Sequence, residues 1–415
     1  MTDNPEVPVL IERIGARGDG VAETPSGRIF VPYALPGETW AWTAAEGWQR
    51  SGAASPDRKP APCPHFGLCG GCVAQHMNTE TYRAWKQQIA VDAFAHQGLE
   101  IETPTLWQAP EASRRRVTFA AGRIGGRIRL GYREAGSHAL CAIETCLIAD
   151  QRITSRLDDL AALVGIIAGA GAKLDDMRIG VVAAANGLAV AVDADGRRLG
   201  PGERAALAKG AEAAGILRLT VGRDEIVQLD QPVIDIGGAK VPVPDAAFLQ
   251  AVPAAEAFMA SRVVDAVARA KRVADLFAGL GTLTLPLAAR ARVSAFDSDP
   301  EALAALEHAT RHASGLKPVE IRRRDLFREP LSRGELNAFD AVVFDPPRAG
   351  AAAQAKALAR STVGTVVAVS CNPATLARDA RTLVDGGYRL VAIDLVDQFL
   401  YSPHLEAVAV FKKRK

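Results

Sequence analysis

Four short stretches of this chain carry residue types that can do chemistry together: Ser370-Cys371-Asn372-Pro373, Asp345-Pro346-Pro347-Arg348, Asp275 to Thr282, and His404-Leu405-Glu406. The first follows the apolar run Thr365 to Val369, so a strand delivers a thiol to the point where Asn-Pro must begin a turn. In open α/β sheets that carboxyl edge is where ligands sit. A lone cysteine is more commonly a core residue. Here the other three stretches also fall at strand ends, which gathers a nucleophile, carboxylates and a glycine-rich turn at one edge.

The elements that must position these groups are read from the alternating pattern. Arg272 to Phe277 reads as a strand, and Ala278-Gly279-Leu280-Gly281-Thr282 as a tight turn into a helix beginning near Leu283. No third glycine completes Gly-x-Gly-x-x-Gly, so the turn alone is weak evidence for a dinucleotide. Asp297 lies 22 residues beyond Asp275 and ends the next strand, where a carboxylate can accept both ribose hydroxyls of an adenosine. Asp325, after Val319-Glu320-Ile321, falls near the adenine edge. Three ordered acids with a glycine turn are the S-adenosylmethionine version of the doubly wound fold.

Ala341 to Phe344 is then the fourth strand, and its Asp345-Pro-Pro-Arg348 loop abuts the donor's sulfonium. Amine-methylating enzymes place an aromatic after Asp-Pro-Pro or Asn-Pro-Pro, and this chain has Arg348 there. The cysteine that cytosine-C5 enzymes of the DNA type carry in this loop is also missing, which leaves Cys371 as the available nucleophile. A thiol beside a methyl donor suits C5 of uracil, because thiolate addition at C6 turns C5 into an enolate carbon. A base must afterwards remove the C5 proton, and Glu406 opens the last strand, Ala407 to Phe411, at the same edge. Without Cys371 the plainer reading of Glu406 is a surface acid at a strand end.

Composition narrows the class. The 415 residues allow two or three domains, and a formal net charge of +2 does not by itself announce a nucleic-acid binder. Arginine is clustered, however: Arg114, Arg115, Arg116, Arg123, Arg127, Arg129 and Arg133 lie between Glu111 and Glu134, and the chain ends Lys412-Lys413-Arg414-Lys415. Met1 to Glu12 lacks the pattern of a secretion signal, and the longest apolar run, Ala161 to Ala172, is far shorter than the roughly 20 residues of a bilayer span. A cytoplasmic protein is expected, in which clustered cysteines are metal ligands or catalysts rather than disulfides. Cys63, Cys69 and Cys72 form such a cluster, with Gly70 and Gly71 letting the backbone wrap a metal centre. Cys141 or Cys146 offers the fourth ligand, His65 and His76 are poorer choices, and zinc would accept the same set.

Residues 1–56 read as a small barrel of short strands with glycine turns. Gly18-Asp19-Gly20-Val21-Ala22, Ile29-Phe30-Val31-Pro32 and Leu35-Pro36-Gly37-Glu38 resemble a TRAM domain, an OB-like RNA-binding barrel. Trp40 and Trp42 share a strand face and serve the core or stack bases. Residues 57–242 are expected to be a central α+β domain carrying the cysteines and arginines, and residues 243–415 a Rossmann-like class I methyltransferase domain, so the fold class is multi-domain α/β.

With these pieces in place the chain is similar to the RNA uracil-5-methyltransferases, the RumA and TrmA group. Asp275-Leu-Phe-Ala-Gly-Leu-Gly-Thr282, Asp345-Pro-Pro-Arg-Ala-Gly350, Ser370-Cys-Asn-Pro-Ala-Thr-Leu-Ala-Arg-Asp379 and His404-Leu-Glu406 carry the resemblance. It implies Cys371 as nucleophile and Glu406 as base, with Gln250 of Phe248-Leu249-Gln250, Phe277, Thr282, Asp297, Asp325 and Asp345 at the S-adenosyl-L-methionine site. It also implies a [4Fe-4S] cluster on Cys63, Cys69, Cys72 and, from the Ile143-x-x-Cys146 context, Cys146. The barrel and cysteine cluster resemble the ribosomal-RNA branch, which implies 23S rRNA as substrate for a monomer with no obligate protein partner. The alternatives are the same chemistry on tRNA, or an RNA-binding or assembly protein without activity. The chain departs from the family pattern where Val252 takes the place of a usual Asn, where Thr282 replaces a frequent Asn, and where Phe399-Leu400-Tyr401-Ser402 replaces Phe-Pro-His-Thr.

Overall fold

A computed structural model describes residues 7–194, 199–245 and 247–414. Met1 to Glu6 of the stretch read for a leader, and Lys415 of the basic tail, lie outside the described residues. Among the described residues no helix is long and apolar enough to cross a membrane. The run from Ala161 instead belongs to the helix Leu157–Gly169, which buries Leu160, Leu163, Val164 and Ile167.

The carboxyl-terminal half builds an eight-stranded sheet in the order Val319–Arg323, Arg292–Asp297, Arg272–Leu276, Ala341–Phe344, Thr365–Ser370, Glu406–Lys413, Tyr388–Asp397, Thr105–Gln108. Its central strands are nearly continuous runs of Val, Ala and Phe because helices cover both faces. The alternating strand-helix pattern predicts a parallel sheet, and the structure corrects this at one place. Glu406–Lys413 runs antiparallel to both neighbours. Residues 398–405 are too few for a crossover helix, so the chain doubles back from Asp397.

Two elements cross the expected 242/243 division. The helix Thr79–Ala95 and the strand Thr105–Gln108 lie within the segment assigned to the central domain, yet Ala90, Phe94 and Leu106 enter the core beneath the large sheet. A buried ion pair fastens the helix: Lys86 Nζ lies 2.8 Å from Asp397 Oδ1 and donates to the His404 carbonyl, while Tyr82 donates to Asp397 Oδ2. Both Lys86 and Asp397 are fully shielded from solvent. Removing one member of such a pair leaves an uncompensated charge, so Lys86→Met should cost about 3–5 kcal/mol in a chemical denaturation measurement. Lys86→Met with Asp397→Leu should recover part of that loss, and an undiminished single variant would show the pair to be dispensable.

Residues 116–228 form a seven-stranded mixed sheet together with Leu140–Ala142, covered on one face by Leu157–Gly169 and Pro201–Ala213. The amino-terminal segment has two three-stranded sheets sharing Val9, Ile11, Ala22, Val31 and Ala34 as a core, against which Trp40 packs. Glu38 is fully buried there, and hydrogen bonds from Arg58, Trp40 and two backbone N–H groups outweigh its burial and hold its carboxyl down to about 2.

Candidate active site

Cys371 is placed by two capping devices. Ser370 ends its strand with Oγ bonded to the Asn372 backbone, and the Asn372 side chain accepts the Ala374 N–H to start the helix Pro373–Asp385. Asn372 Nδ2 and Thr375 Oγ1 both donate to the Arg348 carbonyl, which joins the cysteine turn to the Asp-Pro-Pro-Arg loop. Across the sheet Ser370 is paired with Ala407, so the antiparallel reversal brings Glu406 beside Cys371 at the same edge.

Glu406 is 2% exposed, with Oε1 accepting a hydrogen bond from Gln398 Nε2 at 3.1 Å and Oε2 without a partner. Burial first, then the Asp345 charge, push its carboxyl up to about 8, opposed by Gln398 and Arg348. Burial likewise raises the Cys371 thiol to about 11, helped by Glu406 and Asp345 and opposed by Arg348. Asp345, half-buried and receiving Gln250 Nε2 at 3.2 Å, is raised to about 7 by loss of solvent around its carboxyl. Three acidic groups, Glu406 buried and Asp345 and Cys371 partly buried, thus share the cavity with the exposed Arg348, an arrangement that favours moving protons between them.

The cavity they floor has a volume of about 400 Å³ and continues over the glycine turn. Gln250, Phe277, Thr282, Asp297, Asp325, Asp345, Cys371 and Glu406 all line it. Asp297 accepts the Gly279 N–H at 2.8 Å and the Asp299 N–H at 2.9 Å. Asp325 caps the turn at Phe327, whose ring lies 5.4 Å from that of Phe277. Phe277 itself holds φ +63°, a strained value for an aromatic residue, directly at the cavity. At Gly281, φ is +93°, a left-handed value that strains any residue with a side chain, and a Cβ there would press on Leu306. The cavity borders carboxylates that can accept hydrogen bonds from the hydroxyls of an adenosyl ligand.

Comparison with known proteins agrees with the geometry. A family profile described as tRNA (Uracil-5-)-methyltransferase matches residues 321–415, and one described as Methyltransferase small domain matches residues 250–367. A protein of Agrobacterium fabrum described as an uncharacterized RNA methyltransferase is 43% identical over 98% of this chain and 99% of its own. A 23S rRNA (uracil(1939)-C(5))-methyltransferase of Chromohalobacter salexigens is 34% identical over 97% of this chain and 88% of its own. The chain belongs to the RNA uracil-5-methyltransferase family. The fold agrees: the crystal structure of a Pyrococcus abyssi tRNA (uracil-54, C5)-methyltransferase superimposes with a TM-score of 0.76 at 21% identity, covering 97% of this chain and 99% of that one.

A second cavity of about 400 Å³ lies next to the first in this methyltransferase, and Phe248 lines both. Cys63, Cys69, Cys72 and Cys146 all face it, together with Arg114, Arg116 and Tyr132. Cys141 is buried within its strand and does not line the cavity, and its thiol lies against Cys69. None of the six cysteines is in a disulfide. Among the described residues, no three His, Cys, Asp or Glu side chains close into a group that could hold a metal ion, so the structure does not display the expected metal centre. Cys63, Cys69, Cys72 and Cys146 are nevertheless soft thiol donors bordering one space, the donor chemistry that iron–sulfur clusters and zinc both use.

Several site residues escape the sequence motifs. Arg115, counted with the surface arginines, is 3% exposed and holds Glu256 and the Gln250 carbonyl. Asp275 is buried with Thr284 on one oxygen and nothing on the other. Gln398 bridges Gln250 and Glu406. Of these three only Asp275 lies in a sequence motif, which does not show its buried pairing with Thr284; Arg115 and Gln398 are recognisable solely by their distant contacts.

Proposed function

We propose that this enzyme methylates C5 of a uridine in 23S rRNA with S-adenosyl-L-methionine as donor. The observation that carries the reading is that the Ser370–Ala407 rung leaves Cys371 and Glu406 at adjoining strand ends, both lining the cavity over the glycine turn. Support for ribosomal RNA comes from the name of the Chromohalobacter relative, and support for the donor from the S-adenosyl-L-homocysteine complex of the Pyrococcus protein. Gln250, Phe277, Thr282, Asp297, Asp325 and Asp345 are assigned to the donor.

The target base must leave its stack to reach a thiol inside the cavity. The Cys371 thiolate adds to C6, and the pair displaced from the C5–C6 double bond makes C5 the nucleophile that takes the methyl group. Glu406 then accepts the C5 proton, and the C6–S pair returns to Cys371. Arg348, beside both acidic groups, favours the thiolate and the carboxylate over their protonated forms. The amino-terminal barrel and the exposed arginines of residues 123–129 are the proposed grip on RNA.

The test offers methyl-labelled donor and purified protein to ribosomal and transfer RNA, separately, from cells lacking this gene, and separates the digested nucleosides by mass. Label in 5-methyluridine of 23S rRNA is expected. The family profile's own description favours a second reading, the same chemistry on tRNA, and label confined to the transfer RNA would select it. No label in either pool would leave the RNA-binding reading.

Cys63, Cys69, Cys72 and Cys146 are proposed to hold a [4Fe-4S] cluster, which would supply a covalent cross-link between the cysteine loop and the segment at Cys146 rather than electrons. That loop donates from Val73 and Ala74 to the Tyr401 carbonyl, in the connection leading to Glu406. Removing the iron should therefore lower the thermal midpoint by at least about 5 °C and weaken RNA binding. Unchanged stability and affinity in the iron-free protein would overturn a structural role.

A further inference from the structure

Val252 ends the Phe248 to Val252 segment with a backbone N–H that points at a side chain 146 residues away, Gln398 Oε1, at 3.2 Å. A backbone N–H is always a donor, so it fixes which end of this buried amide is oxygen. Gln398 Nε2 must then face the other way, and its two hydrogens reach Gln250 Oε1 at 2.7 Å and Glu406 Oε1 at 3.1 Å. That in turn orients Gln250, whose Nε2 is left to donate to Asp345 Oδ2. One backbone group thus sets the direction of a chain of amides that presents an N–H donor to each of two carboxylates, the buried Glu406 and the half-buried Asp345.

We infer that Gln398 is a positioning residue for the proton-removal step, holding Glu406 by Oε1 so that Oε2 is the atom that receives the C5 proton. Oε2 is buried and unpartnered, on a residue that lines the cavity beside Cys371. Donation to Oε1 stabilises the ionised form and prevents the carboxyl from rotating its free oxygen out of the site. In the step itself the proton passes from C5 to Oε2, the C5–H pair becomes the C5–C6 double bond, and the C6–S pair returns to Cys371. The other groups facing Glu406 are Asp345, Arg348 and Cys371 across the cavity and His404 on its own approach. Asp397, next to its ladder partner Val396, is neutralised by Lys86. None of these except Gln398 donates a hydrogen bond to the carboxyl among the described residues.

The inference rests on the proposed Cys371 adduct and Glu406 base, so the test contains a control for them. Single-turnover reactions with labelled donor and RNA would follow methyl transfer and adduct release separately between pH 6 and 9, for the native enzyme, Gln398→Met and Glu406→Gln. The methionine keeps length and volume but cannot donate. Gln398→Met is expected to leave methyl transfer within about threefold while release slows roughly tenfold at pH 7, its midpoint moving upward by about one pH unit, as expected for loss of one hydrogen bond to a charged group. If transfer and release fall together with the midpoint unmoved, Gln398 only packs and the inference is overturned. A poorly folded Gln398→Met protein, seen in its melting curve, would be replaced by Gln398→Leu, read the same way. If Glu406→Gln releases its product at the native rate, the base assignment itself fails, an outcome distinct from either result at Gln398.

Discussion

Cys371→Ala should reduce turnover by about 10⁴-fold or more, because among the described residues no second thiol lines the cavity and C5 of an unactivated uracil does not attack a methyl donor. The residue is half-buried at a turn and contributes little to the core, so the variant should keep its melting temperature and its affinity for the donor in calorimetry. The native reaction should also accelerate with pH. With the thiol raised to about 11 by burial and by Glu406 and Asp345, the thiolate is a minor species near neutrality and grows about tenfold per pH unit. A Cys371→Ala protein that still makes 5-methyluridine would remove the covalent mechanism.

Glu406→Gln should complete methyl transfer and then stall, accumulating an RNA-protein adduct that survives a denaturing gel, with turnover down about 10²- to 10⁴-fold, the usual contribution of a general base. The amide preserves size and cannot accept the proton. Its absence also reaches Cys371, since the Glu406 anion is one of the charges that hold the thiol up. Above about pH 8, where the native carboxyl is ionised, Cys371 of Glu406→Gln should alkylate faster with iodoacetamide than the native thiol. Below that pH both forms are neutral at this position and the rates should converge. In the native enzyme, release should rise with pH through the same range, because only the carboxylate takes a proton. Release at the native rate from Glu406→Gln would assign the base elsewhere.

The chemistry of this protein was written locally. Strand-forming runs closed by Ser370-Cys371-Asn372-Pro373, Asp345-Pro-Pro-Arg348 and the glycine turn at 279–281 determine where strands stop, and in an α/β sheet strand ends converge. The eight residues expected at the nucleophile, the base and the donor therefore line one cavity. Alternation of strand and helix gave the fold class for the same reason. It could not show that Glu406–Lys413 runs antiparallel, a consequence of a connection too short to cross the sheet, or that 79–108 joins the carboxyl-terminal layer. Strand alternation left Cys141 and Cys146 open, and in the structure Cys146 borders the cavity with Cys63, Cys69 and Cys72, while Cys141 is buried with its thiol against Cys69. The tertiary structure alone decided the buried polar pairs. Lys86 meets Asp397 from 311 residues away, Gln398 meets Gln250 from 148, and Arg115 leaves the surface arginines for Glu256. No local pattern encodes such partners, because a buried charge or amide is stable only when the packing that dehydrates it also supplies its hydrogen bonds.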